Sequence, residues 1–334
     1  VTKRGRTYNR IYTDADWQQV NQENKDIMQD FIEEYKQRKM KESTIKQYQN
    51  DLRIVLIYIL KKRNNKTITD LKKKDFRSFS IWLSDELKVS NARTNRLMSA
   101  VRSMLTYVED DDEYDYDNNI AKKVHGLPKA PVRTNEDDFF LSFEQVMKLR
   151  EELIKRNQLQ DAVLLMLAFD SAGRRNELFQ VKKENLINSN KTNVVIGKRG
   201  KTFQLVYLND TKELIKQYLE QRGEDDIESL WIRGEGDNKS EITYNTLYER
   251  IVKMSDILSE IEGKEIEFFP HSLRHSRCEC LLQGEDPRLK DKDGNIRKYT
   301  LEDVAVMMHH SSTDVTKSYS KDHSEDVIDD MFGF

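Results

Sequence analysis

F-F-P-H-S-L-R-H, residues 268–275, and M-H-H-S-S-T-D-V-T-K-S-Y, residues 308–319, bracket the stretch on which this sequence turns. The first puts His271, Arg274 and His275 at i, i+3 and i+4, on one face of a helix starting just after Pro270. Proline is well tolerated at a helix start, and a cationic donor face there suits an anion. In the second, a lone Tyr319 stands nine residues beyond His310, with Ser311, Ser312 and Thr313 between them as capping and turn residues. Upstream, S-A-G-R-R-N-E-L (171–178) sets Arg174 three residues before Glu177. Arginine and histidine donors followed by a tyrosine point to a phosphate held beside a nucleophile.

A chain of 334 residues is long enough for two domains, each with its own core. With 37% hydrophobic and 34% charged residues, a mainly helical, polar-surfaced protein is expected. The apolar run 164–169 is too short for a membrane span and reads as a core helix. No signal-peptide pattern precedes the first helical segment, and the expected location is cytoplasmic, at the nucleoid. Cys278 and Cys280 sit two apart on an expected helix, so they face apart and build neither a disulfide nor a zinc site. The net charge of −3 is unevenly spread: residues 1–134 hold 27 Lys+Arg against 20 Asp+Glu, the remainder 29 against 39. Much of the acid lies in 109–117, 135–138 and the tail, so local basic faces can still bind phosphates.

The order of Arg174, a hairpin lysine, His-x-x-Arg, then His310 and Tyr319 resembles the tyrosine recombinases of the phage-integrase type. S-A-G-R-R-N-E-L looks like the first arginine box of that family, H-S-L-R-H (271–275) like its second, and H-S-S followed by Tyr319 like its third. Each short motif alone is weak: Arg174 reads equally well as a surface ion pair with Glu177, His271 as a capped core histidine, Tyr319 as an ordinary amphipathic tyrosine. Their order and spacing together are specific, and the likeness runs over about residues 25–320.

The resemblance implies a two-domain, C-shaped DNA clamp, mainly α with a small β-hairpin or sheet in the C-terminal domain. The expected organisation is a basic arm (1–23), a helical, SAM-like core-binding domain (24–110), a linker (111–140), a catalytic domain (141–319) and a C-terminal tail (320–334). Helical periodicity marks 24–39, 42–62, 73–87 and 92–108, with Ser43-Thr44 and Thr69-Asp70 as N-cap regions. The starts of the second and fourth look like the family's DNA-facing helix starts, which makes Lys46, Arg93 and Arg96 candidates for phosphate or groove contacts. Residues 194–208 read as two short strands around a basic turn with Lys198, Arg199 and Lys201. The family carries its catalytic lysine on such a hairpin; Lys201 is the first choice and Lys198 the second, and Lys198 and Arg199 are also DNA-contact candidates.

Further expectations follow from the chemistry. Negative charge grows on the non-bridging oxygens of a phosphodiester as a fifth oxygen attacks, and fixed donors must meet it. Arg174 and Arg274 would supply planar, permanently charged forks, and His271 and His310 further hydrogen bonds. By resemblance, Tyr319 would attack phosphorus and Lys201 protonate the departing oxygen; Glu177 and His275 would buttress the site. No metal, nucleotide or other cofactor is expected, and the sequence carries no Walker loop, acidic metal cluster or Rossmann glycines. D-K-D-G-N (291–295), in an insertion at 284–300 longer than the family usually has, does not meet the EF-hand pattern. Partners implied are double-stranded DNA with inverted half-sites, three further copies of the chain on that DNA, and accessory DNA-bending or directionality proteins, with no membrane. The tail stripe Val327, Ile328, Met331 and Phe332 would dock on a neighbouring copy. Two departures stand out: His309 replaces the usual glycine of the third box, and Ser-Ala-Gly replaces Thr-Gly-small in the first. The competing functions are a DNA-binding regulator on the same scaffold without catalysis and a type IB topoisomerase.

Overall fold

The computed structural model describes residues 7–128 and 140–309, the side chains of Arg199 and Asp237 apart. Internal contacts divide the chain into two compact units, Val1–Val132 and Arg133–Phe334, each with its own apolar core. The fold is mainly helical with two small antiparallel sheets, as expected from the sequence.

In the first unit, α1 (Thr7–Ile11), α2 (Asp14–Gln19) and α3 (Gln22–Gln37) lead into the long α4 (Glu42–Lys62). Next come α5 (Lys73–Ile81), running into a π-helical turn over Trp82–Glu86, and α6 (Asn91–Asp110). From Leu52 to Ile59, α4 is buried on every side but Arg53, because α1, α2, α3 and α6 all pack against it. An all-round apolar segment is stable only when so surrounded. Ser43-Thr44 does not cap this helix: it begins one residue earlier, behind Lys41, which makes no side-chain cap.

Two expectations are corrected here. From Thr7 on, the expected basic arm (1–23) is packed into the first unit rather than standing apart from it: Ile11 and Val20 are buried, and the Arg53 guanidinium lies over the rings of Tyr12 and Trp17 at 5.5 and 5.3 Å. Residues 111–128, expected as linker, close onto α6. Tyr116, Ala121 and Val124 are buried, and Arg102 donates to the carbonyls of Ala121 and Val124 at 3.2 and 2.9 Å. Aromatic and amide contacts to distant residues fold a segment whose own composition is that of a loop.

The second unit is built around α8 (Leu159–Ser171), buried without a break from Ala162 to Ser171. Around it pack α7 (Phe143–Lys155), α10 (Asn209–Arg222), α11 (Tyr244–Glu262) and α12 (Pro270–Gln283). Each large apolar side chain of α8 contributes ~1.5–3 kcal/mol by leaving water, and the helix forms the centre of the unit's core. Ser142 caps α7 through a capping box, its Oγ accepting from Gln145 N at 3.1 Å and Gln145 Oε1 accepting from Ser142 N at 3.0 Å. A short α9 (Arg175–Phe179) follows α8 directly. The expected hairpin is β1 (Lys191–Ile196) and β2 (Thr202–Val206), antiparallel with Val195 opposite Phe203. Its turn spans Lys198–Gly200, and Gly200 supplies a φ of 76°. A second pair, β3 (Ile232–Arg233) and β4 (Ser240–Glu241), lies across the unit, and α13 (Leu301–Met307) closes the described chain.

The insertion at 284–300 folds back on itself through a bridge between Lys290 and Ile296. The Asp291 carboxylate accepts the backbone N–H groups of Asp293 and Asn295, both at 2.9 Å, and so organises a turn. No helix among the described residues is long and apolar enough to cross a membrane.

Candidate functional site

Three chain segments meet where α8 ends, α12 begins and α13 ends. A small apolar cluster of Ala172, Cys278, Leu281, Val304 and Met308 holds them together. Ala172 terminates α8 in the left-handed region, φ 48°, and Arg174 then stands extended at the N-cap of α9. Its backbone N–H donates to Glu177 Oε2 at 2.7 Å and its Nη1 to Glu177 Oε1 at 3.1 Å. Glu177 is 2% exposed and the Arg174 side chain 27%. A buried carboxylate thus fixes the direction in which a half-open guanidinium points.

Arg274 projects from the first turns of α12, which starts at Pro270. Only 2% exposed, it donates through Nη1 to the Ala172 carbonyl and through Nη2 to the Met308 carbonyl at 2.9 Å. One guanidinium therefore ties the backbone just before Arg174 to the backbone just before His309. His271 is exposed at the helix start, with its ring edge-on to that of His275 at 4.7 Å; His275 meets Phe140 at 6.0 Å in the same manner.

The hairpin brings the lysines. Lys201 is exposed, with its carbonyl accepting from Gly197 N at 2.7 Å. Lys198 is exposed on the turn itself; the Arg199 side chain lies outside the described residues. Gly197 permits a close approach: a Cβ there would come within 2.6 Å of the Phe203 ring and 3.2 Å of Glu177 Oε1. Phe203 in turn stacks on the His309 imidazole, centroids 3.8 Å apart and planes 24° apart. Burial pushes the His309 pKa down; Glu177 pulls the other way, and Arg274, Lys201 and Arg174 add to the depression. His309 accordingly lies in the field of four of the residues singled out in the sequence, from three separate segments. Fixed positive groups gathered from separate segments are what an anion with developing charge requires. His310 and Tyr319 fall outside the described residues.

In the first unit, Lys46 is exposed on α4, and Arg93 and Arg96 lie on the first turns of α6. The residue missed in the sequence is Asp51, 2% exposed. Its carboxylate receives Arg93 Nη2 at 2.5 Å and Gln47 Nε2 at 2.8 Å, with Arg96 Nε at 3.5 Å. An aspartate at a core-facing position of an otherwise apolar helix was the available signal. His309 was noticed only as a departure; its left-handed backbone, φ 54°, is what a glycine in that place would have announced.

The pattern described as the Phage integrase family matches residues 140–325, and that of the Phage integrase, N-terminal SAM-like domain matches residues 15–110. The SPbeta prophage-derived recombinase-like protein YomM of Bacillus subtilis (strain 168) is 26% identical over 320 residues, 89% of this chain and 90% of that protein. Tyrosine recombinase XerD of Vibrio cholerae serotype O1 is 25% identical, covering 85% and 87%. Among solved structures, a lambda integrase dimer bound to a COC' core site superposes with a TM-score of 0.62 at 14% identity, over 88% of this chain and 94% of that one. XerH site-specific recombinase bound to palindromic difH substrate gives 0.62 at 16%, over 86% and 79%. At these identities the structural likeness speaks for the fold.

Proposed function

The chain belongs to the phage integrase family, and from that premise we propose that it is a site-specific DNA recombinase of a mobile element, joining strands through a covalent 3′-phosphotyrosine. Tyr319 attacks the scissile phosphorus, its phenolic proton passing to a neighbouring base or solvent. A Tyr–O–P bond forms as the bond from phosphorus to the 5′ oxygen breaks, and Lys201 protonates that oxygen. Attack by the 5′-hydroxyl of another strand reverses the step and rejoins DNA by way of a Holliday junction. The phosphoester conserves the bond energy, so no cofactor or metal takes part. Arg174, Arg274, His271 and His310 hold the non-bridging oxygens; Glu177 and His275 hold them in place. Arg93, Arg96, Lys46, Lys198 and Arg199 grip the duplex, and four copies assemble on paired half-sites through the 320–334 tail. A lambda integrase tetramer bound to a Holliday junction, TM-score 0.63 at 12% identity, accords with that assembly.

The observation that supports this reading is that Arg174, held by the buried Glu177 carboxylate, Lys201 and Arg274 come from three segments and all lie near enough to His309 to act on its imidazole. Arg174→Ala tests it: loss of one transition-state donor costs roughly 3–4 kcal/mol, a ~10²–10³-fold slower cleavage, while duplex affinity stays nearly unchanged because one phosphate contact among many is lost. Cleavage at the wild-type rate would remove Arg174 from the site. A second reading, sequence-specific binding without cleavage, is favoured by one feature: Arg274 is buried and donates to two backbone carbonyls.

A further inference from the structure

An aromatic and cationic ladder is built from residues that neighbour the site residues in sequence. Tyr244 and Tyr248 lie one turn apart at the start of α11, both half-buried. The Arg175 guanidinium sits 3.9 Å over the Tyr244 ring and 5.1 Å from that of Tyr248. Beyond Tyr248 comes Phe269, its ring nearly parallel at 5° with centroids 6.3 Å apart, and 41% exposed. Both ends of the ladder adjoin the site in sequence: Arg175 follows Arg174, and Phe269 lies two residues before His271. Phe269 occupies the N-cap of α12, where a side chain that accepts a hydrogen bond is favoured, and makes no side-chain cap. A phenyl group at a capping position gives up the cap hydrogen bond and, with one part stacked on Tyr248, still leaves 41% of its surface to solvent.

We propose that this ladder is a stacking site for an unpaired nucleobase, the first base of the strand released by cleavage. The proposal rests on the recombinase reading. Cleavage leaves that base next to a 5′-hydroxyl end, without the covalent neighbour that held it in the stack. A base has a π-face for Phe269, and its phosphate has the opposite charge to Arg175. Bases within an intact duplex present no free face, so the site discriminates a severed strand from an uncut one. Holding the loosened end beside the phosphotyrosine would keep it ordered until a second strand competes for it.

The test uses a half-site that the protein itself selects from random duplexes, carrying a short single-stranded 5′ extension that begins at the cleavage position. Its first position is either a normal base or an abasic residue, and the ratio of the two affinities is read for each protein. The wild type should favour the base by about tenfold, the range that base–aromatic stacking gives. Phe269→Trp should keep the preference, while Phe269→Leu, still apolar, should bring the ratio to one. A ratio of one in the wild type, or an undiminished preference in Phe269→Leu, would overturn the stacking site. Failure of the wild type to select or bind any duplex would instead strike the recombinase reading, and the stacking site with it.

Discussion

Ala172 and His309 sit with φ near 50°, a region in which a Cβ crowds the following carbonyl at a cost of ~1–2 kcal/mol. They are the two positions where the sequence departs from the glycines expected in the first and third boxes. What each side chain returns is visible: the Ala172 methyl is buried in the cluster joining α8, α12 and α13, and the His309 ring stacks on Phe203. Between them runs the Arg274 bridge. Arg274→Met should strip donors from two carbonyls, at ~1–3 kcal/mol each, and lower the melting temperature by about 5–15 °C. Calorimetry of the purified variant checks this; a melting temperature within about two degrees of the wild type would mean that the guanidinium is not the tie. Lysine should not rescue, since an ammonium lacks the planar fork that reaches both carbonyls.

Among the elements, the insertion at 284–300 is held by an ion network that its turn-rich sequence does not advertise. Arg288 donates to Asp286, to Asp170 Oδ1 at 2.8 Å and to Asp210 Oδ2 at 2.9 Å, and Arg277 reaches Asp286 Oδ2 at 2.5 Å. Burial alone would raise the Asp286 pKa, but Arg288 and Arg277 together outweigh it and hold the carboxyl below its usual range. A carboxylate depressed on folding stabilises the protein fully above its unfolded pKa of about 4, and that contribution drains away as pH falls through the lower folded value. Asp286→Asn should therefore cost ~3 kcal/mol at pH 7 and progressively less in urea unfolding below about pH 4; a pH-independent difference would contradict the network's role. The long helices and the hairpin were legible because apolar spacing and turn residues are local signals. Residues 7–20 and 111–128 were not, because Arg53 and Arg102 fold them through contacts with distant aromatic rings and carbonyls.

At the scale of the molecule, the negative overall charge hides a positive first 134 residues, and the chain divides into two compact units. Arg174, His271 and Arg274 stand out in the sequence as candidates because order and spacing restrict them jointly, and Lys201 through the family resemblance, whereas Asp51 and the Phe269 ladder are defined only by tertiary neighbours. The central claim is that Tyr319 makes the covalent bond. A nicked duplex carrying the selected half-site lets the severed strand diffuse away and traps the intermediate. In EDTA, the wild type should accumulate an adduct through a 3′-phosphate, and Tyr319→Phe should bind the same duplex and form none. An adduct that persists with phenylalanine, or none from the wild type on a duplex it binds tightly, would contradict the account.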